Sequence, residues 1–548
     1  MPGGLIQLVN KGAQDQLVTG QPSFTHFKSM YKRHTEFAME HFRLNFRSSH
    51  LDLGTLPKTM RLRVDRNAQL VHDMYIHVRL PDIFSPVRSI PTNTKSELAP
   101  DAKAIGYEFR WIRNIGYNMI RSVSILINGT AIVTHTGEWL KLYSYMTHDS
   151  NRRKIIDEMI GNVPELYDPA NAFRRHNQYP HAITGIKKAE PSILGRDLVI
   201  PLHFWFCENI GQALPLIALQ YSEVEIVVEF ATIYDLFTIR DIRPNSSTFG
   251  KRIKPDATTE LSITNFLSVP LINTNPTNLT LTTWSLNPYM EANYIFLSDT
   301  ELINLAKSDT SFIIRDVRFL NTRGLYGGGN DIELTLHNLC TRIVWVTQRS
   351  DVEESNGYDN YTNIPEDLYS SFFSTEGMKP WYTSGTLVGQ NQSSHDIVID
   401  GTILLDGAER FTTKPSDFFQ YQSNYKHTTG NPIKGIYSYS FALDHTEQPS
   451  GHINGSMFNR TLLRLTLQLP PFTTQTQSNQ ACIIKSTVLT QNPIQVQSTS
   501  IFNPDNVLTI ISKPDLQVYQ YTYAVRSYVE SYNFLRIARG IANVVFSS

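Results

Sequence analysis

Glycine clusters, histidines and paired acidic residues are the parts of this 548-residue sequence whose types and spacing could support chemistry. The most glycine-rich stretch is Gly327-Gly328-Gly329. It lacks the Gly-Lys-Ser/Thr ending of a phosphate-binding loop and no helical pattern follows it, so we interpret it as a flexible connection between strands. The sequence also contains no His-Glu-x-x-His or His-x-His metal motif and no Gly-x-Ser-x-Gly nucleophile elbow.

The acidic and histidine candidates are equally weak. Glu353 and Glu354 are adjacent, so on a loop their side chains would point apart, whereas glycoside hydrolysis needs two carboxylates at a set separation across a cleft. His26, His34 and His41 lie among aromatic residues, where packing or hydrogen bonding explains them better than a ligand set does. We therefore predict no catalytic residue, no cofactor, no metal site and no enzymatic activity.

The cysteines and the apolar runs indicate the compartment. Cys207, Cys340 and Cys482 lie far apart and form neither a disulfide framework nor a Cys-x-x-Cys pair, which favours a reducing environment. No apolar signal core opens the sequence, and no run approaches the roughly 20 apolar residues of a membrane span. We expect a soluble protein of a cytosol-like compartment, where Asn-x-Ser/Thr triplets are not glycosylated. These triplets begin at Asn128, Asn245, Asn278, Asn360, Asn391, Asn454 and Asn459.

The charge balance argues against direct contact with nucleic acid. The 49 Lys and Arg residues and 50 Asp and Glu residues give a net charge of -1, whereas a protein that coats nucleic acid usually carries a strong basic excess. Two short basic runs, 152–154 and 174–175, are interpreted as solvated faces rather than as contacts with acidic partners or phosphate. A net charge near zero removes long-range self-repulsion, which favours packing against copies of the same chain.

Two hairpin-like stretches of similar sequence indicate an internal repeat. Residues 124–134 (SILINGTAIVT) and 402–412 (TILLDGAERFT) align without a gap. Each places Asn-Gly or Asp-Gly between two apolar runs, and these dipeptides favour a type I′ turn because their residues tolerate positive φ angles. We therefore predict two related β domains in tandem.

Short alternating segments in both halves support this division. Met60, Leu62 and Val64 alternate with polar neighbours, as expected of a strand with one wet face. Helical spacing is confined to 137–146 and 155–160, inside a long connection. Further strands are predicted at 198–207, 224–230, 312–320, 332–336, 342–347, 437–443, 462–469 and 517–546. Many short strands with few helices predict an all-β tandem sandwich or jelly roll with short helices in long loops.

The predicted domain division has four parts. Residues 1–30 form an N-terminal arm, extended with local turns, which either anchors onto neighbours or packs on its own domain. Residues 31–240 form the first jelly roll, 241–287 a linker with one or two minor strands, and 288–548 the second jelly roll. Segments 85–103, 241–287 and 351–395 are interpreted as enlarged loops, which tend to carry function.

Several segments, in order along nearly the whole chain, resemble the major capsid proteins of nucleocytoplasmic large DNA viruses. They are 3–9 (GGLIQLV), 12–15 (GAQD), 17–22 (LVTGQP), 27–38 (FKSMYKRHTEFA), 137–140 (GEWL), 200–207 (IPLHFWFC), 213–221 (ALPLIALQY), 293–297 (NYIFL), 435–443 (GIYSYSFAL), 448–451 (QPSG) and 532–537 (YNFLRI). Each segment alone is a weak signal, and their shared order makes the set specific.

The resemblance implies a double jelly roll of two eight-stranded sandwiches. It implies homotrimeric, pseudo-hexagonal capsomers that tile an icosahedral shell in the virion, over an internal membrane, after synthesis and assembly in the host cytoplasm. The implied partners are the chain itself, neighbouring capsomers, minor capsid or cement proteins and penton proteins, with no direct nucleic acid. From its composition, we expect the arm to reach inward to membrane-side or minor proteins. The alternative is a carbohydrate-binding or hydrolysing jelly-roll protein.

Overall fold

The computed structural model describes most, but not all, of the chain. The described residues are 3–47, 53–85, 87–89, 107–175, 178–184, 189–241, 252–257, 261–267, 284–307, 309–363, 396–445, 448–468, 482–485, 507–511 and 521–546. The triplets at Asn245, Asn278 and Asn391, and most of the three predicted enlarged loops, lie outside these ranges.

Eight strands form the first sandwich. They are β1 (Phe37–Asn45), β2 (Lys58–Arg63), β3 (Leu70–Arg79), β4 (Ile120–Ile127), β5 (Thr130–Thr136), β6 (Asp197–Pro201), β7 (Val224–Phe230) and β8 (Tyr289–Leu297). One antiparallel sheet has the order β1-β8-β3-β6, and the other has the order β2-β7-β4-β5.

Eight further strands form the second sandwich. They are β9 (Thr310–Leu325), β10 (Gly328–Leu334), β11 (Leu339–Arg349), β12 (Val398–Leu405), β13 (Ala408–Glu409), β14 (Ile436–Ser440), β15 (Thr461–Leu467) and β16 (Tyr523–Ala538). The two antiparallel sheets have the orders β9-β16-β11-β14 and β10-β15-β12-β13.

The two sandwiches share one topology. When the strands of each are numbered from one to eight, both have sheets of the order 1-8-3-6 and 2-7-4-5. This is the jelly-roll arrangement of two packed antiparallel sheets. The repeat that the hairpins predicted thus extends over all sixteen strands, and the predicted all-β double jelly roll with short helices in long loops is confirmed.

The two hairpins of similar sequence are the equivalent connections β4–β5 and β12–β13. Asn128 and Gly129 have φ angles of 53° and 79°, and Asp406 and Gly407 have φ angles of 48° and 87°. Positive φ at both central residues is what a type I′ turn requires, and its twist matches that of the flanking strands. The predicted turn type is therefore confirmed in both halves.

The first residue of each turn also ties the hairpin to the next connection in the same way. Asn128 Oδ1 accepts a hydrogen bond from the backbone N–H of Glu223 at 3.0 Å. Asp406 Oδ1 accepts one from the backbone N–H of Arg460 at 2.8 Å. The repeat is thus reproduced in individual hydrogen bonds. Each one fixes a turn to the residue that directly precedes β7 or β15, the strands that pair with β4 and β12.

Side chains that alternate between buried and exposed along the strands form the cores of the sandwiches. In β2 the side chains of Met60 and Leu62 are buried while Arg61 and Arg63 are exposed, as predicted. A large apolar cluster fills the first sandwich, and a second cluster around Trp345 fills the second. Each sandwich therefore has its own core.

The structure corrects the predicted strand at 198–207. The strand ends at Pro201, and a short helix covers Trp205–Glu208. Proline has no backbone N–H to donate to the sheet, so it ends the ladder although the apolar run continues.

The structure also corrects the domain division at residue 288. Strand β8 pairs with β1 along its whole length, from Phe37 opposite Leu297 to Asn45 opposite Tyr289, and it pairs with β3 on its other side. It therefore closes the first sandwich instead of opening the second. Segment 241–287 connects β7 and β8, two strands that lie in different sheets of the first sandwich. The sequence did not predict this, because a crossing from one sheet to the other leaves no local signal. The remaining domain bounds stay predictions.

The arm is not extended as predicted, because it contains two short helices. Helices α1 (Gly3–Val9) and α2 (Asp15–Thr19) lie in it. All residues from 3 to 41 are exposed, so the arm is not packed against its own sandwich.

The remaining helices lie in the connections. They are α3 (Ile115–Met119), α4 (Gly137–Thr147), α5 (Ser150–Ile160), α6 (Pro164–Tyr167), α7 (Trp205–Glu208), α8 (Asp299–Lys307), α9 (Val352–Ser355) and α10 (Ser423–His427). Helices α4 and α5 confirm the two predicted helical segments. Each begins with a side-chain cap: Thr136 accepts from the N–H of Trp139, and Asp149 accepts from that of Arg152.

Minor strands decorate the sandwiches. Tyr107–Trp111, Phe237–Asp241 and Arg252–Ile253 form one small sheet, and Val87–Ser89, Ala182–Thr184 and Ala189–Glu190 form another. Cys482–Lys485 pairs with Val507–Ile511. Leu214–Pro215, Lys414–Pro415, Ile453–Asn454 and Ile541–Val544 extend the main sheets.

Helix α4 is held so closely that its first residue must be glycine. A Cβ added at Gly137 would lie 2.0 Å from the carbonyl oxygen of Ile120 and 2.1 Å from that of Tyr117. We expect Gly137→Ala to lower the free energy of unfolding by about 3 kcal/mol or more, because two backbone carbonyls would have to move. Differential scanning calorimetry of the variant measures this loss.

Gly129→Ala is the matched control. Its φ angle is positive, but no atom lies within 4 Å of the added Cβ, so only the left-handed backbone penalty of about 1–2 kcal/mol applies. Equal, small losses in both variants would contradict the close approach at Gly137.

Candidate assembly site

The residues that the sequence singled out for chemistry are scattered in the structure. Gly328, with a φ of 103°, is the first residue of β10. His41 lies 3.2 Å from Glu291 on the sheet surface, and Glu353 lies 3.6 Å from Arg323 in an exposed pair. Within the described residues, no group of three or more His, Cys, Asp or Glu side chains could hold a metal ion.

One of the basic runs is not the solvated face that the sequence suggested. Arg153 is buried, and its guanidinium donates to Ser144 Oγ at 2.7 Å and to Asn114 Oδ1 at 2.8 Å. It also forms an ion pair with Asp157 at 2.7 Å. Its neighbours Arg152 and Lys154 are exposed, so only these two fit the prediction.

Helix α4 forms the apolar centre of the junction between the sandwiches. Trp139, Leu142 and Met146 on the helix pack in one cluster with Val344 of β11 and Tyr528 of β16. The ring centroids of Trp139 and Tyr528 are 5.3 Å apart. A helix that belongs to the first sandwich therefore packs directly on a sheet of the second.

Glu138 at the start of α4 is one of the buried acids of this junction. Its carboxylate accepts hydrogen bonds from Arg526 at 2.9 Å, Tyr361 at 2.9 Å and Tyr528 at 2.6 Å, all of which follow the first sandwich in sequence. Burial alone would raise the pKa of Glu138, but the charges of Arg526 and Lys141 outweigh it and hold the pKa below its usual value. The carboxylate is therefore charged when the junction is closed.

A second buried pair lies one helical turn away. The Lys141 ammonium, with a side chain 1% exposed, forms an ion pair with the carboxylate of Asp359. It also donates to the carbonyl oxygen of Tyr358 at 3.4 Å. The same carboxylate accepts from the amides of Asn114 at 3.2 Å and Asn118 at 3.4 Å. The loop that follows β11 is thereby fixed to two helices of the first sandwich.

A third group of charged side chains lies on one sheet of the second sandwich and reaches the first sandwich through Arg315. The Nε of Arg342 on β11 donates to Glu530 on β16. Arg315 on β9 lies 3.8 Å from Glu530 and 3.4 Å from Glu208 of the first sandwich. Burial would raise the pKa of Glu530, but Arg342 and Arg315 lower it to about 2. Glu530 is therefore a fixed negative charge between two arginines.

Sequence reasoning missed these charged groups, although a signal for them existed. Arg342 lies in β11 between apolar residues that are buried on both faces, and Glu530 has the same setting in β16. A charged residue in such a strand is costly unless it is paired. The pattern could have predicted a buried ion pair, but not the identity of the partner 188 positions away.

The largest set of exposed apolar side chains lies in the arm. Nearly all large apolar residues there are strongly exposed, whereas isolated exposed apolar residues elsewhere are normal. They are Leu5, Ile6, Leu8, Val9, Leu17, Val18, Phe24, Phe27 and Met30. In the described part of the chain, none of the helices combines the length and the hydrophobicity that crossing a membrane requires. The arm and the rigid junction are the two features suited to assembly.

The junction should depend on the charge of Glu138. We expect Glu138→Gln to lower the free energy of unfolding by about 3–5 kcal/mol, because it leaves Arg526 buried without its counter-charge. Asp331→Asn is the matched control, since Asp331 and Arg464 form an exposed pair at 2.7 Å and such pairs contribute little. Thermal melting of both variants measures the difference, and similar melting temperatures would contradict the role of Glu138.

Comparison with known proteins agrees with this architecture. Residues 25–280 match the family described as the major capsid protein N-terminus. Residues 301–510 match the family described as the large eukaryotic DNA virus major capsid protein. The two matches together cover fourteen of the sixteen strands, all except β8 and β16.

Individual proteins give the same result. Probable capsid protein 4 of Acanthamoeba polyphaga mimivirus is 26% identical, and the alignment covers 100% of both chains. The major capsid protein of Phaeocystis pouchetii virus is 25% identical over 85% of this chain and 93% of its own. Among solved structures, VP54 of PBCV-1 has the same fold, with a TM-score of 0.60, 20% identity and coverage of 96% of this chain and 100% of that chain. These are structural proteins of virions and not enzymes, and the chain belongs to the family of large eukaryotic DNA virus major capsid proteins.

Proposed function

We propose that the chain forms homotrimeric, pseudo-hexagonal capsomers that tile a large icosahedral viral shell. The observation that carries the proposal is the identical strand order of the two sandwiches in one chain, joined by a buried polar junction. Three copies of a twofold repeat present six similar walls around a threefold axis, and hexagonal units tile a plane. Closed rotational symmetry of this kind is the usual solution for homo-oligomers.

The charge of the chain supports self-association. A net charge of -1 gives no long-range repulsion between copies. Within a capsomer, obligate interfaces of this kind bury several thousand Å² or more. The outer loops and the arm are then left for neighbouring capsomers, minor capsid or cement proteins and penton proteins. We place assembly in the host cytoplasm, as the cysteine pattern suggests.

The carbohydrate hypothesis has less support. The relatives with known names are capsid proteins, and the jelly-roll fold alone hosts many functions.

We further propose that the arm contacts membrane-side or minor proteins. Its apolar side chains are exposed in the isolated chain, and helices of 7 and 5 residues cannot bury them alone. An exposed apolar segment of this size normally marks an interaction site. The sandwiches would then form the walls, and the arm would fasten them to what lies inside the shell.

The capsomer proposal is tested by the mass of the purified chain. Light scattering coupled to size exclusion should give a species of three times 62.5 kDa that persists on dilution, because a large obligate interface dissociates little. A monomer that stays monomeric at high concentration would contradict the homotrimer.

The arm proposal is tested by deleting residues 1–25. We expect trimers of unchanged stability but impaired shell assembly, because the deleted residues make no contact with the cores. A matched pair of full-length variants separates chemistry from length: Leu5→Ser with Ile6→Ser should reproduce the defect, and Gln7→Ser with Gln14→Ser should not. Normal shells from the deleted chain, seen by electron microscopy, would overturn the proposal.

A further inference from the structure

A polar cavity of about 830 Å³ lies where the two sandwiches meet. Its walls come from β3, β6, α4 and α7 of the first sandwich and from β9, β11 and the connection around α10 of the second. This volume lies in the range of small-molecule sites and far exceeds that of a single water. The cavity is therefore large enough for a ligand that contacts both sandwiches.

Three buried donor groups of the cavity lining lack acceptors. Both terminal amino groups of Arg342, which is 1% exposed, have no hydrogen-bond partner among the described residues. The same holds for the indole Nε1 of Trp205, which is 4% exposed. A buried unsatisfied donor costs about 1–3 kcal/mol, so such groups call for an explanation. Because all three are donors, the missing partner is an acceptor.

The surroundings of Arg342 suit an anion. Its Nε is occupied by Glu530, and its guanidinium carbon lies 5.6 Å from the ring centroid of Trp139 and 5.7 Å from that of Tyr143. The two free amino groups form the fork that binds carboxylate, sulfate or phosphate oxygens in pairs. The aromatic rings beside it exclude water and so strengthen such a bond.

We propose that this cavity binds a small oxyanion through Arg342 of the second sandwich and Trp205 of the first. The bound ion would bridge the sandwiches and stiffen the junction between them. The inference stands on the cavity and its unpaired donors, and it does not depend on the number of chains in a capsomer.

The charges around the cavity permit this and predict a pH dependence. Exposed Arg152 and Lys426 add positive charge to the lining, whereas Asp73, Glu208 and Asp444 oppose an anion. Burial raises the pKa of Asp73, and it raises the pKa of Glu208 to about 7 despite the nearby Arg315. A bound anion favours protonated Glu208, so affinity should rise as the pH falls from 8 to 6.

Three of the four histidines of the lining do not supply this dependence. Burial lowers the pKa of His445 to about 3 and that of His203 well below its usual value, and burial also lowers the pKa of His148. His427 is the remaining histidine of the wall. Near neutral pH these three are therefore uncharged, whereas Glu208 is a group of the lining whose protonation changes.

Sulfate is the first probe, because it does not titrate between pH 6 and 8. The melting temperature of the full chain is measured against sulfate concentration at constant ionic strength, with chloride as the replacement ion. We expect a saturable rise on top of the weak, linear effect that sulfate has on most proteins. Phosphate and acetate titrations then show whether the site prefers a tetrahedral oxyanion or a carboxylate.

Two tryptophan variants give the decisive comparison. Trp205→Phe should weaken the saturable sulfate binding by roughly tenfold, since it removes one hydrogen bond to a charged ligand. Trp345→Phe is the matched control, because its indole Nε1 is also unpaired and buried but lies in the core of the second sandwich. It should leave sulfate binding unchanged.

Two further variants test the other groups. Arg342→Lys keeps the charge but removes the fork, and should weaken binding by at least tenfold. Glu208→Gln should abolish the pH dependence of sulfate affinity. No saturable response in the wild-type chain, or equal responses of Trp205→Phe and Trp345→Phe, would overturn the proposal. Should Trp205→Phe fail to fold, the pH dependence in wild type and Glu208→Gln decides.

Discussion

The structure depends on a junction in which charged side chains are buried between two sandwiches. Apolar contact alone is tolerant, because a sheet can slide on a helix with little change in buried area. Glu138 and Lys141, whose partners Arg526 and Asp359 follow the first sandwich in sequence, remove that tolerance. Any slip of one sandwich against the other leaves a buried charge without its partner, which costs several kcal/mol. The relative orientation of the two sandwiches is therefore set by ion pairs and stabilised by the apolar cluster around α4.

The internal repeat explains where this junction lies. In both sandwiches the fifth strand follows a type I′ turn, and the connection to the sixth strand carries helices: α4 to α6 in the first, α10 in the second. These equivalent connections meet each other. The N–H of Gly430 donates to the carbonyl oxygen of Met146 at 2.7 Å, and Thr429 Oγ1 donates to that of Thr147 at 2.7 Å. A duplicated fold thus produces its own contact surface from one pair of corresponding loops.

The sequence predicted what is local and missed what is distant. The hairpin turns follow from Asn-Gly and Asp-Gly, and the alternation in β2 follows from period two, because neighbours in sequence decide both. Strand β8 was assigned to the wrong sandwich, since its partner β1 lies some 250 positions earlier and pairing leaves no mark on the strand itself. Arg342 was seen only as part of an apolar strand, although its charge is what requires Glu530. The strand pattern left a tandem sandwich and a jelly roll open, and the family resemblance selected the double jelly roll.

The cavity and the need for a fixed junction belong to one physical argument. In the proposed capsomer, six similar walls can tile only if both sandwiches of every chain hold the same angle. A void at their boundary weakens that angle, because lining atoms on either side lack contacts across the gap. Arg342 and Trp205, which carry the unpaired donors, line this void from the second and the first sandwich. An ion that accepts hydrogen bonds from both residues would connect the two sandwiches at this void and stiffen the junction. Anion occupancy would then affect assembly through the rigidity of a single chain.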